Sequence, residues 1–195
     1  MDMTQALQRD AVRTRRALLD AAAKTIATHG AAVSLEVIAR EAGVSKGGLL
    51  HHFRSKEALL VGLVEEWLAR FDAAVRRHLD PNDHRPGGLF RAHIRATFDD
   101  SPEMVDELWR NPAVLTALLG VPDVLQRAQV HDRMWRQALA DDGLHPQRAA
   151  VIMGMLDGCT MSDLLGNTST KAEREDTRAL LLALTDETGP VVSQG

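Results

Sequence analysis

The chain lacks the features that mark secreted, membrane-embedded and β-rich proteins. Its single cysteine, Cys159, has no partner for an intrachain disulfide, which is typical of a protein that folds in a reducing cytosol. No apolar run approaches the roughly 18 residues that a membrane-spanning helix needs, and the basic stretch 1–16 has no apolar core of the secretory type. Alternating apolar and polar residues are also absent over any useful length. We therefore expect a cytoplasmic, all-α protein.

Motifs of catalysis are equally scarce. We find no nucleophile elbow, no phosphate-binding loop, no carboxylate pair in a recognisable context and no spacing typical of metal ligands. His51 and His52 are neighbours on one predicted helix and point in different directions, which disfavours a shared metal ion. No cofactor or metal is expected, and nothing positive supports an enzyme. An all-helical enzyme and a helical adaptor protein remain as alternatives.

Charge is unevenly distributed along the chain. The net charge is −4, but residues 1–56 carry nine Lys and Arg against five Asp and Glu, whereas residues 57–195 carry fourteen against twenty-two. This distribution suggests that residues 1–56, which we call the head, bind a polyanion, and that residues 57–195, which we call the body, bind a different kind of partner. This basic head disfavours an adaptor that uses only its protein-binding surfaces.

Helical periodicity predicts about nine helices. The first is expected to begin near Thr14, a candidate N-cap, and to end at Gly30. A long helix is expected from Ser55 to about His78, before a stretch rich in proline and glycine at 80–88. Further helices are predicted over these ranges: 89–98, 102–110, 112–119, 122–141, 146–165 and 171–185.

The segment 34–53 has a pattern that predicts a helix-turn-helix. Two short helices that cross steeply need a small residue at the crossing, which Ala39 supplies. The turn needs a residue that tolerates left-handed angles, which Gly43 supplies four residues later. Serines that can cap a following helix stand at three places: Ser34, Ser45 and Ser55. Apolar anchors complete the pattern: Ile38, Val44, Leu49 and Phe53. An ordinary helical hairpin is the alternative.

The residues around this segment resemble the N-terminal domain of TetR-family regulators. The resemblance covers about residues 10–62 and rests on Leu18-Leu-Asp-Ala-Ala, on Ile38-Ala-Arg-Glu-Ala-Gly-Val-Ser-Lys-Gly47, and on Leu49-Leu-His-His-Phe-Arg-Ser-Lys-Glu-Ala-Leu59. It implies a three-helix DNA-binding domain at 10–56 and a helical bundle at 57–187 for effector binding and dimerisation. It also implies a homodimer whose recognition helices enter successive major grooves of a palindromic operator in double-stranded DNA.

Carried over by position, the resemblance implies a set of DNA-facing residues. They are Lys46, Gly48, His51, His52 and Lys56, joined by the capping residues Ser34 and Ser45 and by Thr14 and Arg15 at the expected start of the first helix. Lys56 is expected to meet phosphate, whereas Lys46 can reach phosphate or a guanine edge. Gly48 and Leu50 depart from the family's pattern, which usually has Thr and an aromatic residue there. The missing aromatic hydroxyl leaves more of the positioning to His51 and His52.

The acidic body is expected to hold an effector site and a dimer interface. Side chains on several predicted helices can line a largely apolar cavity for a small molecule, with a plain core as the alternative: Phe71, Phe90, His93, Phe98, Met104, Trp109, Met134, Trp135 and Asp157. The predicted helix 146–165 is apolar around much of its circumference, so a second subunit is expected to cover one side. The interface is expected at Ala150, Gly154, Gly158, Met161, Leu165, Leu180 and Leu184. The sequence thus predicts a homodimeric repressor released by a small molecule, with an activator as the alternative.

Overall fold

The computed structural model describes residues 3–30, 32–101, 118–167 and 169–192, and every regular element within them is an α-helix. In chain order these are α1 (Met3–His29), α2 (Leu35–Glu41), α3 (Lys46–His52), α4 (Lys56–His78), α5 (Gly88–Thr97), α6 (Pro122–Ala140), α7 (Pro146–Leu164) and α8 (Lys171–Ala183). The predicted all-α class is confirmed. The expected helix over 102–110 and most of that over 112–119 lie outside the described residues. No helix within the described ranges is long and apolar enough to cross a membrane.

The chain divides into two compact units. Among the described residues, the first unit holds 3–66 and 118–127, and the second holds 67–101 and 128–192. Helices α4 and α6 each contribute residues to both units.

The first unit is built on α1, α2 and α3. One apolar stripe of α1 is buried, with Leu18, Leu19, Ala22 and Ile26 almost inaccessible to solvent. Burial of each large aliphatic side chain of this kind stabilises the fold by about 1.5–3 kcal/mol. Between α2 and α3 the chain turns at Gly43, whose φ of 71° lies in the left-handed region that favours glycine.

The expected start of the first helix at Thr14 is wrong, because α1 already begins at Met3. Residues 3–13 contain neither proline nor glycine and include several strong helix formers, so the sequence offers nothing that would stop the helix before Thr14. Thr14 therefore lies inside α1 as a half-buried residue and is not an N-cap.

The second unit has a core assembled by α5. Phe90, Ile94 and Phe98 follow one another at intervals of four residues and pack with apolar side chains of α6, α7 and α8: Leu139, Ile152, Leu156 and Leu181. Asp142 caps the start of α5, since its carboxylate accepts hydrogen bonds from Leu89 N at 3.1 Å and Phe90 N at 2.9 Å.

Two buried arginines hold the end of α8. Arg91 donates to Thr185 O at 3.2 Å, and Arg148 donates to Leu184 O at 3.1 Å. These cations satisfy carbonyl groups that a helix end leaves without a partner in the helix, and they complement the negative end of the helix dipole. Arg91 also donates to Asp83 Oδ2 at 2.7 Å, which fixes the loop before α5.

Candidate functional site

The three predicted serine caps are confirmed. Ser34 Oγ accepts from Val37 N at 3.4 Å, Ser45 Oγ accepts from Gly48 N at 3.0 Å, and Ser55 Oγ accepts from Ala58 N at 3.1 Å. Each hydroxyl satisfies one of the backbone donors that a helix start leaves unpaired. The caps therefore fix where α2, α3 and α4 begin, and with them the position of Lys56, the first residue of α4.

One side of α3 is anchored in the core of the first unit. Leu49 is inaccessible to solvent, and Phe53, the C-cap, is almost fully buried. The Phe53 ring packs against Gly62 of α4, where an added Cβ would lie 2.7 Å from Phe53 Cε1. Sequence reasoning missed Gly62, because the need for glycine there depends on a contact between two helices.

Arg15 covers the same ring and does not lie at a helix start. Its guanidinium carbon is 5.0 Å from the centroid of Phe53, a cation–π distance. Arg15 and the half-buried Thr14 both lie within α1, so the expectation that they open the first helix beside a phosphate is corrected. Arg15 instead supports the anchor of α3.

The other side of α3 is open. Lys46, Gly47, Leu50 and His51 are exposed, and Gly48 and His52 are half-buried. The rings of His51 and His52 pack edge to face with centroids 5.5 Å apart.

Lys46 forms an ion pair that the sequence did not predict. Its ammonium donates a hydrogen bond to Glu36 Oε1 on α2, and both side chains are about half exposed. This bond from Lys46 is the main cause that lowers the pKa of Glu36 below its ordinary value. An exposed pair of this kind is weak, so a phosphate can compete with Glu36 for the ammonium. No short-range spacing rule links residues 36 and 46 across the turn.

In the second unit, an aromatic cluster brings together three of the predicted pocket residues. The His93 ring lies 5.0 Å from that of Phe71 and 5.2 Å from that of Trp135, measured between centroids. Trp67 and His131 join the cluster. The spacing of four residues between Trp67 and Phe71, and between His131 and Trp135, could have identified both, because such pairs share one helix face.

Asp72 places a carboxylate beside this cluster. Its Oδ1 accepts a hydrogen bond from Trp135 Nε1 at 3.0 Å and lies 2.8 Å from His131 Nε2. His93 is 8% exposed, and its Nδ1 has no hydrogen-bond partner among the described residues. Burial lowers the pKa of His93 to about 4, with a smaller effect of His131 in the same direction. The His93 imidazole is therefore neutral at pH 7.

The remaining predicted pocket residues lie elsewhere. Phe90 and Phe98 belong to the separate core of α5. Met134 is 49% exposed, and Asp157 is exposed and forms an ion pair with Arg136 at 2.8 Å. Met104 and Trp109 lie outside the described residues. Within the described part of the chain, no group of three or more His, Cys, Asp or Glu side chains could hold a metal ion.

Helix α7 carries an exposed apolar stripe. It is formed by the predicted interface residues Ala150, Gly154, Gly158 and Met161 with Leu165 just beyond the helix, and we call it the α7 face. Met161 is 55% exposed and Leu165 is 68% exposed. Leu180 on α8 is also exposed, whereas Leu184 is half-buried against the core of the second unit.

Comparison with known families identifies both parts of the chain. The family described as "Bacterial regulatory proteins, tetR family" matches residues 18–63. The family described as "Tetracyclin repressor-like, C-terminal domain" matches residues 87–186, and this second match alone covers just over half of the 195 residues. The chain belongs to the TetR family. It is a transcriptional regulator with a helix-turn-helix DNA-binding domain, and regulators of this family bind DNA and small-molecule effectors.

Individual relatives support this assignment along most of the chain. The HTH-type transcriptional regulator BetI of Pectobacterium carotovorum is 29% identical over 161 residues, which cover 78% of this chain and 82% of BetI. A transcriptional regulator from Rhodococcus sp. Rha1 has the same fold, with a TM-score of 0.68 at 18% identity over 92% of this chain and 99% of that one. The multidrug binding protein EbrR complexed with malachite green has a TM-score of 0.62 at 24% identity over 88% of this chain and 97% of that one.

Proposed function

We propose that the chain is a homodimeric repressor that binds a palindromic operator and leaves it when a small, largely apolar molecule binds to the second unit. The observation that carries the proposal is the α7 face. Its residues are apolar or glycine and all are exposed, including the large side chains of Met161 and Leu165, and an exposed apolar stripe is typical of a surface that a partner covers.

A second copy of the chain is the partner that fits this face. Gly154 and Gly158 have open space where a Cβ would stand, so a facing helix can approach closely at both positions. A two-fold axis through the face would pair α7 with the same helix of the partner subunit, as closed symmetric dimers require. Two heads related by that axis would match two half-sites about 34 Å apart on DNA.

The DNA contacts are assigned to the open side of the head. Lys56 at the start of α4 is proposed to meet phosphate, and Lys46 is proposed to exchange Glu36 for the DNA. His51 and His52 on α3 are proposed to lie against the major groove. Phosphate contacts position the protein without reading sequence, whereas contacts to base edges specify it.

The effector is proposed to bind beside the aromatic cluster formed by Trp67, Phe71, His93, His131 and Trp135. The likeness to EbrR, which binds malachite green, supports an aromatic effector. Helix α4 carries Lys56 in the first unit and Phe71 in the second, so a displacement of this one helix would couple the two sites. Release then requires that the effector binds the DNA-free conformation more tightly than the DNA-bound one.

The dimer is tested by Gly158→Glu. The open space at Gly158 admits the new side chain, and glutamate favours a helix more than glycine does, so the chain should still fold. We expect the wild type to sediment as a dimer and Gly158→Glu as a monomer that no longer binds a two-site operator cooperatively. Gln129→Glu, a substitution at an exposed position of α6 that adds the same charge, is the control and should remain dimeric. A dimeric Gly158→Glu would refute this interface.

The operator and the regulatory sign are tested separately. Selection of bound sequences from random DNA should enrich a palindrome, and a promoter carrying that site should be less active when the protein is supplied. If no sequence were enriched above the level found with shuffled DNA, the proposal would be overturned. If the promoter became more active when the protein is supplied, the protein would be an activator and not a repressor.

The effector site is tested with compounds that release the operator, starting with malachite green. Phe71→Ala should lower the sensitivity to such a compound while leaving the affinity for DNA within two-fold of the wild type. An unchanged sensitivity of this variant would place the effector elsewhere.

A further inference from the structure

The outward side of α3 carries only two side chains of any size. Successive helical residues are rotated by about 100°. Relative to the buried Leu49, this rotation places Gly47 and His51 opposite the core and Leu50 and Gly48 on the flanks. Because two of these four positions are glycine, only Leu50 and His51 present side chains there.

Lys46 is exposed on the open side of α3, but it is not one of these four outward positions. It lies one turn before Leu50, rotated toward Leu49, and its ammonium is held by Glu36. An ammonium that is held in an exposed ion pair can exchange its carboxylate partner for a phosphate of the DNA backbone. Among the four outward positions, discrimination between bases must therefore come from Leu50 and His51.

The side chain of Leu50 restricts which base it can recognise. Leu50 is 36% exposed and has neither a donor nor an acceptor. In the major groove, guanine, cytosine and adenine present only hydrogen-bonding groups, whereas thymine also presents its C5-methyl group. Thymine is therefore the one base that gives an apolar side chain a favourable specific contact.

The first turn of α3 leaves room for such an approach. A Cβ added at Gly47 would meet nothing nearer than Ser45 Oγ at 3.9 Å. The protein itself does not fill this space, so the helix backbone can come close to the base edges. A close approach is what a side chain as short as leucine requires in order to reach a methyl group.

We propose that Leu50 is a specificity-determining residue that contacts the C5-methyl group of a thymine in each half-site of the operator. The inference rests on the proposed entry of α3 into the major groove. With seven residues at about 1.5 Å each, α3 is roughly 10 Å long and spans about three base-pair steps. The thymine should be an invariant position within this window.

The test replaces that thymine by deoxyuridine in the selected operator, which removes only the methyl group. One buried methyl group changes an equilibrium constant by roughly four-fold, so the wild type should bind about four-fold more weakly per substituted half-site and roughly fifteen-fold more weakly with both substituted. Leu50→Ala should bind the thymine and deoxyuridine operators within two-fold of each other. His51→Ala, a neighbour on the same helix side, is the matched control and should keep the wild-type ratio.

The outcomes separate this inference from the proposed function. An enriched operator without an invariant thymine in the window, equal binding of the two operators by the wild type, or a wild-type ratio in Leu50→Ala would each overturn the role of Leu50. Failure to enrich any sequence would overturn the proposed function itself. Leu50→Ala should keep the wild-type helicity and melting temperature, because alanine is the stronger helix former and Leu50 is a surface residue. The comparison of the thymine and deoxyuridine operators with the wild-type protein does not depend on the folding of any variant.

Discussion

A single methyl group added at Gly47 should stabilise the free protein and weaken its complex with DNA. Gly47 lies in the first turn of α3 and its Cβ would meet nothing closer than 3.9 Å, so Gly47→Ala has no steric cost within the described residues. Replacing a helical glycine by alanine gains about 0.5–1 kcal/mol. For a chain of 195 residues, this corresponds to a rise of about 1–4 °C in melting temperature.

The effect on DNA binding should have the opposite sign. Gly47 is on the outward side of α3, so the new methyl group would occupy the space through which the helix approaches the bases. Overpacking of a close contact costs about 1–3 kcal/mol, which corresponds to at least a five-fold loss of affinity for the operator.

Two measurements on one preparation decide this prediction. Urea denaturation gives the free energy of unfolding, and fluorescence anisotropy with the selected operator gives the dissociation constant. If Gly47→Ala raised the stability and bound DNA as tightly as the wild type, the inferred approach of α3 through this space would be refuted. If Gly47→Ala lowered the free energy of unfolding, the added methyl group would have to clash with a neighbouring residue, which would contradict the open space at this position.

Three further perturbations follow from the ion pairs. Glu36→Gln should free Lys46 for the DNA, and this variant should bind DNA about two- to five-fold more tightly than Glu41→Gln does. Glu41→Gln is the control because it removes the same charge from the exposed pair with Lys24, and equal affinities of the two variants in a binding titration would contradict the prediction. Arg91→Met should lower the free energy of unfolding by about 3–5 kcal/mol in urea, and a loss below about 1 kcal/mol would contradict the network. Hydrogen bonds from Arg85 and then Arg91 hold the pKa of Asp83 well below its ordinary value, so stability should be full above about pH 4 and fall as the pH drops further, and Asp83→Asn should flatten that fall.

The sequence alone was sufficient to predict those structural features that depend on residues close to one another in the chain. The caps by Ser34, Ser45 and Ser55 each act within three residues, and the turn depends on Gly43 alone. The exposure of the α7 face followed from helical periodicity in the same way, although its role as an interface remains a proposal.

The features that the sequence did not reveal depend on distant contacts or on missing stop signals. Asp142 caps α5 from more than fifty positions away, and Asp72 meets Trp135 across a similar separation. A periodicity rule cannot specify either partner, because each contact is created by the packing of helices. The extension of α1 past Thr14 has another cause: an N-cap residue favours a helix start, but it does not end a helix that good helix formers have already begun.

The ion pairs of the head reduce the contribution that its net positive charge makes to DNA affinity. The net charge of residues 1–56 suggested a surface that attracts DNA through its cations, but Lys24, Lys46 and Arg16 are each paired with a carboxylate in the absence of DNA. Each pair is exposed and weak enough for phosphate to displace, so binding is still favoured, although every exchange returns part of the Coulomb energy. Non-specific affinity is reduced by this exchange, whereas contacts to base edges are unaffected. Discrimination between operators should therefore depend more on the outward side of α3, at Leu50 and His51, than on the basic residues around it.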